Sequence, residues 1–289
     1  MECLKCGFES AAQTTECLRC GVIFARYHRT DVEKPEGTNV RDEGAAETSG
    51  LERQEWIQRL VALPTALVVA WILVRIAPAT VRLLSMWIHE TGHAMTAWFC
   101  GYSAVPGPWF TPVGSERSMA LTVLLVAITG FGGFLAWQRR RWFWLGIASI
   151  AGALLIGGPL ILYSDQAQQL IVFGGDAGCF VLGAALMSTF YARQDSPIYQ
   201  NGLRWGFLSI GALSFMDAFV VWTGGLQSIP LGENENGLSD PSVLTELYGW
   251  SFKMLMDRYY RLAMLCLIAL ALVYVLGLCI DESAKTGAC

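Results

Sequence analysis

The 289-residue chain is 54% hydrophobic and 15% charged, with a mean hydropathy of +0.42. A soluble globular domain carries about 25% charged residues, so this balance argues for a membrane-embedded body. The formal net charge of −4 and the apolar content exclude a disordered chain, a collagen-like chain and a strongly basic nucleic-acid binder.

The charges are unevenly placed. Residues 1–60 hold 11 of the 24 acidic and eight of the 20 basic side chains. This polar head begins with Cys3-Leu-Lys-Cys6 and Cys17-Leu-Arg-Cys20, each pair followed by glycine (Gly7 and Gly21). Two residues between cysteines let one tight turn present both sulfurs to one ion. Four thiolates at about 2.3 Å make a tetrahedral structural zinc site. So short a segment buries too little apolar surface to fold alone, and a metal would supply the folding energy. Residues 1–29 are therefore expected to be a four-cysteine zinc ribbon, similar to the short ribbons at the ends of many bacterial proteins. Such ribbons usually bind a partner, and a protein partner is expected. Phe8, Phe24 and Tyr27 form no distinct stacking face for nucleic acid. Residues 30–55 are polar and acidic, which predicts a flexible linker.

From residue 56 to 282 apolar runs alternate with short polar breaks. A spanning helix needs roughly 20 mostly apolar residues. Seven runs qualify: 59–79, 83–100, 118–137, 142–163, 172–191, 205–224 and 259–280. The fold class expected is an α-helical polytopic membrane protein with about six or seven transmembrane helices and a short tail at 283–289. The run 83–100 is short and polar enough to be a full span, a re-entrant helix or a helix buried among the others. Trp56, Trp137, Trp142, Trp205 and Trp222 fall near segment ends, as interfacial anchors do. Arg139, Arg140 and Arg141 form the strongest basic cluster, which places that turn in the cytoplasm, with Arg193 and Arg204 on the same side. A reduced cysteine cluster is also expected to be cytoplasmic. The long loop 225–257 is acidic and falls outside, where it is positioned to cap one face.

The chain has three histidines, His28, His89 and His93. Two of them sit in Trp-Ile-His-Glu-Thr-Gly-His-Ala-Met, residues 87–95, which contains H-E-x-x-H inside an apolar run. On a helix, positions i and i+4 share a face, so His89 and His93 can reach one ion. Glu90 sits at the edge of that face, within reach of a metal-bound water and able to act as general base. Ionisable groups at this depth cost about 2.5–3.5 kcal/mol each on insertion scales, which marks the cluster as functional. A third ligand is sought among the acids within apolar runs. Asp176, in Phe-Gly-Gly-Asp-Ala-Gly, is favoured because its glycines permit close approach and local unwinding. Asp217 is the alternative, as ligand, as partner to a histidine N–H, or as a helix-packing hydrogen bond.

His89-Glu-Thr-Gly-His93-Ala in a hydrophobic helix, with an intramembrane aspartate downstream, resembles the site-2 protease family of intramembrane zinc metallopeptidases, and its bacterial members most. The resemblance spans roughly residues 80–225. It implies that His89 and His93 ligate a catalytic zinc, that Glu90 is the catalytic base, and that Asp176 answers to the family's distal aspartate. Where the family has Leu-Asp-Gly, this chain has Gly175-Asp176-Ala177. The resemblance further implies an endopeptidase of a bacterial inner membrane that cuts membrane-protein substrates in or near their transmembrane segments. Two zinc ions are then expected, one catalytic and one in the ribbon. The competing readings are a non-catalytic scaffold or receptor whose His-Glu-His site is a relic or metal sensor and, less favoured, a metal transporter.

Overall fold

The computed structural model describes residues 40–234 and 237–286, with side chains over 53–233 and 237–279. The four cysteines of the expected ribbon lie outside the described residues.

Helix α1 runs over Val40–Ile76. The linker expected at 30–55 is therefore helical from Val40. Alanine, glutamate, glutamine and arginine dominate this stretch, and these are good helix formers even where no core is available. Pro78 opens helix α2, Pro78–Phe99. Proline suits a first helical turn, because its missing N–H would find no partner there. Strands β1 (Tyr102–Ala104) and β2 (Val113–Arg117) then form an antiparallel pair. Helices α3 (Met119–Gln138) and α4 (Trp142–Ile161) make a hairpin. Helix α5 covers Ser164–Ser188, and the four-residue α6 covers Pro197–Gln200. Helix α7 follows at Leu203–Thr223. The loop beyond it holds β3 (Glu233–Asn234), β4 (Gly237–Leu238) and a single turn, α8 (Asp240–Ser242), continued by a π-helical turn at Val243–Leu247. Helix α9, Phe252–Thr286, closes the chain.

Six helices are long and apolar enough to cross a membrane: Arg53–Ile76, Met119–Gln138, Trp142–Ile161, Ser164–Tyr191, Leu203–Thr223 and Phe252–Cys279. The chain is thus built as an α-helical polytopic membrane protein. Helix α2 is not among the six. It is instead packed among them, against α5, α7 and α4. The most apolar stretch of α5 is 61% buried, against 11% in α3 and 6% in α4. The core is therefore α2, α5 and α7, and the α3–α4 hairpin turns most of its surface outward. Glycines set the α2–α5 contact. A methyl group on Gly92 would meet the main-chain oxygen of Gly174, would lie 2.8 Å from Gly178 Cα, and would lie 3.0 Å from the Gly175 oxygen. Gly92 and Ile88 face Gly178 while Thr96 faces Gly174, so the two helices run antiparallel.

Two expectations need correction here. Helix α5 does not unwind at Gly174-Gly175. These two glycines permit close approach to α2 rather than irregular backbone. Arg204 is buried and makes paired contacts of 2.6 and 2.9 Å with the Glu55 carboxylate, which ties the start of α7 to α1. Trp222 is no interfacial anchor: it is 1% exposed.

Candidate metal centre

His89 and His93 lie one turn apart on α2 and are both buried. Each ring is held by an oxygen acceptor at its Nδ1. His93 Nδ1 lies 2.8 Å from the carbonyl oxygen of Ile171, which can only accept, so Nδ1 carries the proton. His89 Nδ1 lies 3.0 Å from Asp176 Oδ1 and donates to it. With both Nδ1 atoms committed as donors, each ring presents the lone pair of Nε2, the form a metal requires. The two Nε2 atoms are 3.1 Å apart.

The third donor at this point is Asp240. Its Oδ2 is 3.0 Å from His89 Nε2 and 3.1 Å from His93 Nε2. Three atoms held about 2.0–2.2 Å from a tetrahedral zinc ion stand roughly 3.3–3.6 Å from one another. The observed triangle is close to one face of that tetrahedron, and two imidazoles with a carboxylate form a donor set that zinc takes. These residues therefore fit one divalent ion.

Asp176, favoured as third ligand for its glycine setting, lies elsewhere in the structure. Its carboxylate sits at the far edge of the His89 ring, on Nδ1, away from His93. Trp222 Nε1 donates to its other oxygen at 2.8 Å. Trp222 in turn stacks on Tyr259 at 4.0 Å, and Tyr259 stacks on Phe173 at 4.2 Å. Asp176 is thus a clamped support for the His89 ring, the part that a carboxylate plays behind many metal-bound histidines. Asp217 takes the third of its expected roles. It accepts hydrogen bonds from Ser85 and Arg82 of α2 and joins α7 to that helix.

A second donor group, His89, Asp176 and Cys179, shares His89. It uses the Nδ1 edge, where Asp176 already accepts that N–H and Trp222 fills the other carboxylate oxygen. The Nε2 group brings both histidines.

The room for the imidazoles comes from α5. A methyl group on Gly175 would lie 2.5 Å from His89 Cε1, 2.5 Å from His93 Nε2 and 2.6 Å from His89 Nε2. Glu90, also buried, accepts a hydrogen bond of 2.7 Å from the Thr111 hydroxyl. Thr111 precedes β2, so the hairpin after α2 folds back to orient the carboxylate beside the histidines.

The segment bearing Asp240 is fixed rather than loose. The Ser242 hydroxyl accepts from the Gly232 N–H at 2.9 Å, Leu244 is fully buried, and Trp250 Nε1 donates to Gln169 Oε1 of α5 at 2.7 Å. Sequence reasoning passes over Asp240, Thr111 and Trp222 as site residues. Only the chain's return to α2 brings them there. No protein-family model, curated protein or solved structure matches the chain.

Proposed function

We propose that the chain is an intramembrane zinc-dependent endopeptidase that cuts peptide bonds in or near the transmembrane segments of other membrane proteins. The observation that carries this reading is the meeting of His89 Nε2, His93 Nε2 and Asp240 Oδ2 within 3.1 Å, next to a buried, oriented Glu90. His89, His93 and Asp240 are the proposed zinc ligands, in place of the set ending in Asp176. Zinc held there would polarise the scissile carbonyl and bring the pKa of a water molecule to about 7.

The chain's own residues do the rest. Glu90 takes the proton of the attacking water and returns it to the leaving amide nitrogen. Thr111 holds the Glu90 carboxylate in place for both transfers. Asp176 stabilises positive charge on the His89 ring and keeps its Nε2 aimed at the ion. Burial of the centre among α2, α5 and α7 strengthens each of these electrostatic contacts. The four-cysteine zinc ribbon would serve as a docking module for a protein partner.

Glu90 supplies no ligand in this scheme, so chemistry and metal binding separate cleanly. Glu90→Gln is expected to retain the zinc content of the wild type. It should lower cleavage of a co-expressed membrane substrate by about 10²–10⁴-fold, the range for loss of a general base. Equal cleavage by the two proteins would remove the protease reading and leave a metal-binding scaffold or sensor.

A further inference from the structure

The α3–α4 hairpin has a feature that the metal centre does not use. Trp137, Trp142, Phe143 and Trp144 are all more than half exposed, and the turn between the helices is Arg139-Arg140-Arg141. All three arginines are exposed, and none makes an ion pair or side-chain hydrogen bond among the described residues. Arg140 even adopts a left-handed φ of 52°, a conformation that glycine takes more freely.

Directly below this turn the two helices touch, where a methyl group on Gly133 would lie 3.3 Å from Ala148 Cβ. An open crevice of about 300 Å³ runs along the outside of this contact, lined by Thr129, Gly130, Gly133, Trp137, Leu145 and Ala148 among others. Its wall is mostly apolar and its mouth is cationic. From Thr129 to Arg139 the helix rises about 15 Å, half of a hydrocarbon core of about 30 Å. The crevice, which ends at Trp137, runs along about 12 Å of this length.

We infer that the α3–α4 crevice is a binding site for one anionic phospholipid, with an acyl chain lying along the crevice and the phosphate at Arg139–Arg141. Charge complementarity decides the occupant. Three unpaired guanidinium groups at the membrane surface attract a negative headgroup and form charge-assisted hydrogen bonds with phosphate oxygens. A zwitterionic lipid offers the same chains without the net charge. A transmembrane protein segment would fill the apolar wall but leave the arginines unmatched.

The test is native mass spectrometry of the full chain in a neutral detergent, with phosphatidylglycerol and phosphatidylcholine of identical acyl chains. The wild type should retain one phosphatidylglycerol, with a preference over phosphatidylcholine of more than about tenfold, since each basic side chain at an anionic surface gives a several-fold gain. Replacing all three arginines by glutamine should abolish that preference. Gly130→Leu should also reduce retention, by filling the crevice. A side chain at Gly130 meets nothing within 4 Å, and the arginines are exposed, so both variants should fold. Equal retention of the two lipids would overturn the inference, as would unchanged binding in either variant. Displacement by millimolar inorganic phosphate would also overturn it, by showing an anion site that does not require lipid.

Discussion

Asp240→Ala is expected to release one equivalent of zinc from the full chain, as His89→Ala should. The loss follows from geometry. Asp240 Oδ2 is the only carboxylate oxygen among the described residues that stands 3.0–3.1 Å from both Nε2 atoms. Removing it leaves two neutral nitrogens, a donor pair with neither the charge nor the third position of a zinc site. Asp176→Ala should behave differently. It removes the acceptor behind His89 Nδ1 and leaves the ligands in place, so metal affinity should fall by about 10–100-fold. Asp217→Ala breaks a contact between α2 and α7 but touches no ligand, so zinc affinity should change least. Zinc content per chain, measured by elemental analysis across a chelator titration, separates the three. If Asp176→Ala loses zinc and Asp240→Ala keeps it, the ligand assignment is reversed.

The second large effect is expected at Gly175. The methyl group of Gly175→Ala would point at both imidazoles, 2.5–2.6 Å from ring atoms. Rings can turn aside where main chain cannot, so the protein should still fold, with His89 and His93 out of alignment. A displacement near 1 Å costs on the order of a hundredfold in rate, and zinc affinity should fall as well. Gly92→Ala makes the contrast. Its methyl group would meet the main chain of α5, so the helices themselves must separate. Overpacking of this kind costs on the order of 3 kcal/mol, read as a lower thermal midpoint and a lower folded yield. Gly146→Ala, with nothing within 4 Å, should be neutral or slightly stabilising.

The histidine pair is legible in the sequence because it breaks two patterns at once. It places two of three histidines in one pentapeptide, and it places them in an apolar run. Their meeting on one helix face follows from helical spacing alone. The third donor is hidden for a physical reason. An aspartate in a polar, acidic loop is ordinary, whereas one in a membrane helix stands out, so hydropathy points to Asp176 and Asp217. Asp240 lies 151 residues from His89 in the chain, and only the packing of its turn against α5 brings it in.

The limits of the helices show a similar division. The six spans are readable from apolar runs, but α5 begins at Ser164 rather than 172 and α9 at Phe252 rather than 259. The first turns of α5 are polar and those of α9 carry Lys253, Asp257 and Arg258, so hydropathy alone starts both helices late. The helix from Val40 escapes for the same cause, since its helix formers carry charge. The run at 83–100 is ambiguous as a span. In the fold α2 is a helix packed within the bundle, where its polar face meets Asp176, Asp217 and Asp240.

Anomalous diffraction at the zinc edge, from crystals of the full chain, tests the central claim most directly. The account requires an anomalous peak about 2.0–2.2 Å from His89 Nε2, His93 Nε2 and Asp240 Oδ2. A peak at His89 Nδ1 with Asp176 and Cys179, or no peak beside the histidines at full zinc loading, would contradict it.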